Sequence, residues 1–228
     1  MQKRLARKLD LERMLSKVKP HSTPVPGLEQ YTISVGAAAT MLYIAAYANG
    51  DIVNKNVLDL GCGTGRLALG AAFLGAESVV GVDIDRKAVN TASENASAIG
   101  LVEEVQWVAA DVDVIHGNFD TVLQNPPFGV QKRGADRKFV TKALELGSVA
   151  YSLHKRPGQD LTLIDKVKAS SDGAVAVSPS PFMEKFIEEN GGRIKAVYAL
   201  LMTVPHMFSF HMERKHDFVV DLYVIKKG

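Results

Sequence analysis

From residue 57 onward, short apolar runs alternate with stretches of helical period along the chain. Residues 57–60, 79–83, 105–109 and 119–124 read as strands, almost continuously apolar, as buried parallel strands are. Between and after them, residues 66–74, 86–99 and 137–146 carry the 3.6-residue period of helices, and 148–153 is strand-like again. Strands alternating with helices of about a dozen residues predict βαβ units and a parallel sheet. Upstream, residues 34–48 read as a helix rich in small residues. Downstream, residues 182–189 form a helix closed by Gly191-Gly192, and two long strands, 194–204 and 218–226, suggest an antiparallel pair at the sheet edge. Between these blocks, 156–181 is rich in Pro, Gly and Ser and reads as a loop insertion.

Composition narrows the class. A chain of 228 residues, 46% hydrophobic and 23% charged, fits one larger α/β domain able to bury a core without staples. The single cysteine, Cys62, excludes a disulfide framework and a paired-cysteine metal site, and it fits a reducing cytoplasm. The apolar run 35–48 is shorter than the ~20 residues of a membrane helix. The N-terminus has charge but no apolar signal core, so no membrane or secretory association is expected.

Charge is unevenly placed. Residues 1–19 hold seven Lys/Arg against Asp10 and Glu12, a local +5 that leaves −3 on the rest of a chain whose net charge is +2. Residues 1–27, ending in a Pro-rich linker, read as a basic arm preceding a domain at 28–228, and such an arm suits a polyanion. The competing reading is an amphipathic helix with Leu5, Leu9, Leu11 and Leu15 laid on the body.

The sharpest motif is Asp59-Leu60-Gly61-Cys62-Gly63-Thr64-Gly65, between a strand and a helix. Glycines there allow a tight turn and close ligand approach, beside the free N–H groups of the helix start. The spacing is GxGxG, unlike the GxGxxG of dinucleotide folds. With an acidic residue two positions before the first glycine, it is the pattern of S-adenosylmethionine methyltransferases, whose cationic amino acid end suits a carboxylate such as Asp59. Asp83 ends the second strand, where a carboxylate accepts from both ribose hydroxyls. Asp111 ends the third, within reach of an adenine amino group flanked by Ile84 and Val112. Each of these Asp residues, taken singly, is equally a helix cap or turn residue.

Asn125-Pro126-Pro127-Phe128 follows the fourth strand, at the carboxyl edge where α/β sheets bind ligands. An exocyclic amine of adenine is a poor nucleophile because its lone pair is delocalised into the ring. Accepting both of its N–H bonds, with the Asn125 side-chain oxygen and the Pro126 carbonyl, draws the nitrogen toward tetrahedral geometry. Consecutive prolines stiffen that carbonyl, and Phe128 offers a face for an extruded base. The plain alternative is a turn with Phe128 in the core. Cys62 lies in the cofactor loop, which speaks against covalent cytosine chemistry. His206, His211 and His216, five apart, suit neither a helix face nor a strand face, so no metal is expected. Lys132, Arg133, Lys138, His154 and Lys155 cluster beyond the reaction motif as candidate phosphate contacts.

In order, the segments LEQY (28–31), DLGCGTG (59–65), GVDID (81–85), NPPFG (125–129), YSLHK (151–155) and VDLY (220–223) resemble the archaeal and eukaryotic small-subunit ribosomal RNA N6-adenosine methyltransferases of the methyltransferase-like-protein-five type. The likeness covers roughly residues 25–155 and the last strand pair. It implies a Rossmann-like class I S-adenosylmethionine methyltransferase, with a seven-stranded, mostly parallel sheet, an antiparallel last strand and no separate target-recognition domain. By the same resemblance, cofactor contacts fall on Gln30, the 61–65 loop, Asp83, Asp111 and Val112, and the catalytic motif on Asn125 to Phe128. A small zinc-binding activator subunit covering an apolar sheet edge is also implied. Thr32 and Ile33 follow LEQY where the family continues with Pro-Thr, and the 156–181 stretch and basic arm are additions. Guanine-N2 methylation of rRNA, adenine methylation of DNA, glutamine methylation of a protein, and non-catalytic RNA binding remain alternatives.

Overall fold

The computed structural model describes residues 6–22, 32–128, 134–158, 160–205 and 215–228. Its centre is a parallel sheet: β1 (Asn56–Leu60), β2 (Ser78–Asp83), β3 (Val105–Ala109), β4 (Phe119–Gln124) and β5 (Gly147–Lys155). They are joined by α3 (Arg66–Leu74), α4 (Arg86–Ile99) and α5 (Ala135–Leu146). Val57, Leu58, Asp59 and Leu60 are all buried because helices cover both faces, which is why the strand reads as unbroken apolar sequence with one carboxylate inside it. β8 (Lys215–Lys227) pairs antiparallel with β5, and β7 (Gly192–Pro205) antiparallel with β8. With β6 at Ala174–Ala176, the strand order is β3-β2-β1-β4-β5-β8-β7-β6.

Among the described residues the sheet has eight strands, one more than expected. The eighth, β6 (Ala174–Ala176), pairs antiparallel with β7 and lies within the 156–181 stretch expected to be a loop. That expectation is corrected twice over, because α6 (Leu161–Ala169) lies there too. Its Leu163, Ile164 and Val167 pack on Ala199 and Val219, and Asp160 caps its start by accepting from the Leu163 N–H at 3.0 Å. The Gly, Ser and Pro clusters only frame these short elements. β7 and β8 form the predicted antiparallel pair, but β6 is outside them.

The basic N-terminal segment also departs from the free-arm reading. α1 (Lys8–Leu15) lays Leu11, Met14 and Leu15 into the core, and Val18 continues the same stripe at helical spacing. Leu9, off that stripe, is half exposed. Leu11 and Leu15 are fully buried, and each such burial is worth ~1.5–3 kcal/mol. α1 packs against α3 and against α2 (Val35–Tyr43), which runs on through a π-helical turn at Ile44–Ala48. Arg13, Lys17 and Lys19 remain on the outward face. Residues 8–18 are thus part of the domain core, not of an arm ending at 27.

One face of the sheet carries α1, α2, α3 and α4, and the other carries α5 and α7 (Pro181–Glu189). The chain order reverses between β1 and β4, which lie side by side and parallel. Crevices for ligands open at such reversals, at the carboxyl ends of the strands. Asp59 is level with Leu123, so the segments that follow β1 and β4 leave the same edge of the sheet from neighbouring strands.

Candidate active site

The glycine loop owes its shape to its neighbours. Gly61, Gly63 and Gly65 all have positive φ, at 77°, 53° and 86°. A Cβ on Gly65 would lie 2.5 Å from the Trp107 ring, and one on Gly61 would lie 2.8 Å from Phe139. A Cβ on Gly63 would meet nothing within 4 Å. Two glycines are therefore set by packing beneath the loop, while the middle one faces open space, where a ligand can approach the backbone. Gly61 and Cys62 both donate their N–H to the Val82 carbonyl at 2.8 Å, fastening the loop to β2.

Gly65 is the N-cap of α3 and has no side chain to cap with. Asp59 supplies the missing acceptor from inside β1, taking the Ala68 N–H on Oδ2 at 2.8 Å. Its other oxygen, Oδ1, is buried with no hydrogen-bond partner among the described residues. Burial pushes the carboxyl up to about 7, against the Ala68 N–H, and the nearby Asp83 adds to the rise. A buried carboxylate with one unmet oxygen beside a glycine loop fits the ammonium of an amino acid end.

Asp83 closes β2 and accepts from the Gly63 N–H at 2.8 Å and from the Asp85 N–H at 2.9 Å. Burial raises its carboxyl above the ordinary value despite those donors. Each oxygen keeps a second lone pair for a sugar hydroxyl. Ile84, next in the chain, is 55% exposed, an apolar side chain in the open beside this carboxylate. Val112 is instead buried among Leu58, Leu60 and Val82. Asp111 caps the turn Val112–Val114, accepting from the Asp113 N–H at 3.0 Å, and pairs with Lys138 at 2.9 Å. Cys62 is buried, and burial first, then Asp59 and Asp83, holds its thiol far above the ordinary range. Thr64 is buried as well.

The N-terminal segment crosses this end of the sheet. Asn95, buried on α4, accepts from the Lys19 N–H at 3.0 Å and donates to the carbonyls of Lys19 and Thr64. Arg66 donates to the carbonyls of Val18 and Ile33, and His21 lies 3.0 Å from Asp85. Residues 18–21 thereby hold the glycine loop from outside. Nothing in the Asn-Thr-Ala-Ser-Glu-Asn run of α4 marked Asn95 in advance.

At the neighbouring strand end, Asn125 and Phe128 are half-buried and Pro126 is buried. Phe128 meets Phe218 edge to face at 6.1 Å, and Lys155 sits 5.8 Å above the Phe218 ring. Two of the proposed phosphate contacts are corrected. Lys138 is held by Asp111 at 2.9 Å and Asp113 at 2.8 Å, so its charge is already compensated. His154 is buried at 7% exposure, 2.7 Å from Ser152 Oγ. Gln30, Lys132, Arg133, His206 and His211 lie outside the described residues, as does the His216 side chain. Among the described residues, no three His, Cys, Asp or Glu side chains are grouped to hold a metal. No described helix is long and apolar enough to cross a membrane.

A parallel sheet whose order reverses between β1 and β4, with a glycine loop at the reversal, is the frame of a class I methyltransferase, with S-adenosylmethionine as cofactor. Residues 37–166 match the family described as methyltransferase small domain. The chain is 34% identical to the zebrafish protein named rRNA N(6)-adenosine-methyltransferase METTL5, over 93% of this chain and 95% of that one. It is 33% identical to the Drosophila melanogaster protein of the same name, over 96% and 95%. The crystal structure of PH1948 from Pyrococcus horikoshii superposes with a TM-score of 0.80 at 34% identity, covering 98% of this chain and 99% of that one. Within the methyltransferase small domain group, the chain belongs to the rRNA N6-adenosine methyltransferase family of METTL5.

Proposed function

We propose that this protein methylates N6 of an adenosine in structured RNA, with small-subunit rRNA as its substrate. The observation that supports the reading is the parallel pairing of β1 and β4, with Asp59 opposite Leu123, so that the glycine loop and Asn125-Pro126-Pro127-Phe128 follow neighbouring strands at the same edge of the sheet. When bound, S-adenosylmethionine supplies an electrophilic methyl group on a sulfonium sulfur. Asp59 Oδ1 would receive the ammonium end, Asp83 the ribose hydroxyls, and Ile84 one face of the adenine, with Thr64, Asp111 and Val112 around them; Gln30, outside the described residues, is a further contact that the family resemblance implies. Asn125 and the Pro126 carbonyl grip the two N–H bonds of the target amine, and Pro127 stiffens the turn. Phe128 receives the base. Because the methylated nitrogen sheds its proton readily, the site needs no strong base.

Exposed Lys155 and the outward-facing Arg13, Lys17 and Lys19 supply phosphate contacts for the RNA. A small zinc-binding activator subunit is proposed on the open edge of β3. Val108 on that strand, with Val102 and Val114 in the turns flanking it, is exposed by 36%, 50% and 63% respectively, apolar side chains around an edge that no described strand pairs with. The lone buried thiol of Cys62 is in keeping with a cytoplasmic protein.

Asn125→Ala tests the reaction assignment. Methyl transfer to unmodified small-subunit rRNA should fall by about 100-fold or more, as when a transition-state hydrogen bond is removed, while cofactor affinity holds. Retained turnover would remove Asn125 from the mechanism. Nucleoside mass spectrometry should find N6-methyladenosine, and N2-methylguanosine in its place would overturn the choice of base.

A further inference from the structure

A chain of buried polar groups runs beside the reaction loop without touching the proposed ligands. Gln124, the residue before Asn125, is fully buried and donates from Nε2 to Ser152 Oγ at 2.8 Å. Ser152, also fully buried, lies 2.7 Å from His154 Nε2. His154 Nδ1 faces Asp136 Oδ2 at 3.7 Å. Gln124 pairs with Ser152 across β4 and β5, and His154 is two residues further on the same face. Asp136 stands in the first turn of α5.

The hydrogen bonds have one consistent direction. The Asp136 carboxylate, at 3.7 Å too far from Nδ1 for a direct hydrogen bond, favours a proton on that nitrogen electrostatically, which leaves Nε2 as the acceptor. Ser152 then gives its proton to Nε2, and its oxygen takes one from the Gln124 amide. Against the upward push of burial, His154 and Arg137 bring the Asp136 carboxyl below its ordinary value. Tyr223 packs its ring edge-on to the imidazole at 5.4 Å and accepts the Ser180 N–H at 3.0 Å, so the imidazole has a fixed wall. Asp221, opposite His154 in the strand register, is occupied by Arg156 at 2.8 Å.

Ser, His and Asp in this order resemble a hydrolytic triad, but a fully buried serine whose oxygen already accepts a hydrogen bond is no nucleophile. The two ends of the chain matter more. Gln124 is where the chain enters the reaction tetrapeptide, and Asp136 is where it re-enters helix after it. We infer that Ser152 and His154 are positioning residues, a buried relay that clamps both ends of the reaction loop so that Asn125 and the Pro126 carbonyl hold the target amine in one geometry. The inference rests on the reading of Asn125 to Phe128 as the reaction site. The relay matters because amine activation depends on two acceptors set at once, and a misplacement near 1 Å costs about 100-fold in rate.

The experiment compares the full-length protein with Asn125→Ala, Ser152→Ala, His154→Leu and His154→Gln, using unmodified small-subunit rRNA. Ser152→Ala and His154→Leu should lower kcat by about 10- to 100-fold, leaving the KM for RNA and the cofactor affinity within about twofold. His154→Gln puts an amide where Nε2 was, keeps the Ser152 bond, and should restore most of the lost kcat. Wild-type kcat in Ser152→Ala and His154→Leu, with Asn125→Ala inactive, would overturn the relay and leave the reaction site standing. So would losses that track a lower melting temperature and weaker cofactor binding, or a His154→Gln no better than His154→Leu. An active Asn125→Ala would defeat the underlying site reading. If Ser152→Ala fails to fold, the two His154 variants carry the test.

Discussion

The two ends of the crevice are prepared in opposite ways. On the β1–β2 side, the backbone does the shaping: three left-handed glycines, a helix start capped from within a strand, and a buried Asp59 left with one oxygen unmet. On the β4–β5 side, the shaping falls to side chains: Gln124, Ser152 and His154 are hydrogen-bonded in turn and Asp136 lies 3.7 Å from the imidazole, with Gln124 Oε1 buried and without a partner among the described residues. An unmet buried carboxylate costs free energy until a cation arrives. A linked polar chain resists movement whether or not a ligand is present. The first suits a site that must draw in and release a charged cofactor, and the second suits one that must hold a neutral amine still.

Gly65→Val would break the cofactor end most severely. A β-branched residue at φ 86° meets left-handed strain of about 1–2 kcal/mol and overpacking against Trp107 of about 1–3 kcal/mol. The expected outcome is a melting temperature lowered by several degrees and cofactor binding lost in calorimetry, with the loop displaced from β2. Asp83→Ala should have the next largest effect. It removes the ribose acceptor and releases the Gly63 and Asp85 N–H groups, weakening cofactor affinity by about 10- to 100-fold at charge-assisted values of ~1.5–3 kcal/mol. Turnover at saturating cofactor should stay close to normal, since the β4–β5 side is untouched. An unchanged affinity would remove Asp83 from the ribose contact.

The same contrast explains what could be read in advance. GxGxG and Asn-Pro-Pro-Phe are contiguous, and the alternation of elements places both at carboxyl strand ends, so the parallel sheet and its ligand edge follow from pattern, while the strand order does not. The relay is not contiguous. Ser152 and His154 do interrupt the apolar run of β5 at a two-residue interval, but their link to Gln124 depends on strand register and their link to Asp136 on how α5 docks. Lys138 follows the reaction motif in sequence, whereas Asp111 and Asp113, which hold it, come from the turn after β3. In α1 the dense positive charge suggested an arm, while Leu11, Met14, Leu15 and Val18 marked the buried stripe on its other side. β6, three residues long, is too short for periodicity to reveal.

Asp59 gives the smallest and most specific test of the cofactor end. With its carboxyl raised to about 7, the cofactor-free fold keeps a proton that the unfolded chain gives up near pH 4. The folded state therefore binds more protons between those values, and this group's contribution to stability falls as pH rises from about 4 to 7. An ammonium beside Oδ1 reverses the preference by stabilising the carboxylate. Cofactor binding at pH 6 should then release close to one proton, measurable by calorimetry in buffers of different ionisation enthalpy. Affinity should climb by up to about tenfold per pH unit below 7 and level off above it. Asp59→Asn keeps an acceptor for the Ala68 N–H but cannot ionise, so both the proton release and the slope in affinity should vanish. If the slope persisted in Asp59→Asn, the proton would belong to another group, and the unmet oxygen would have a structural origin with no part in receiving the cofactor.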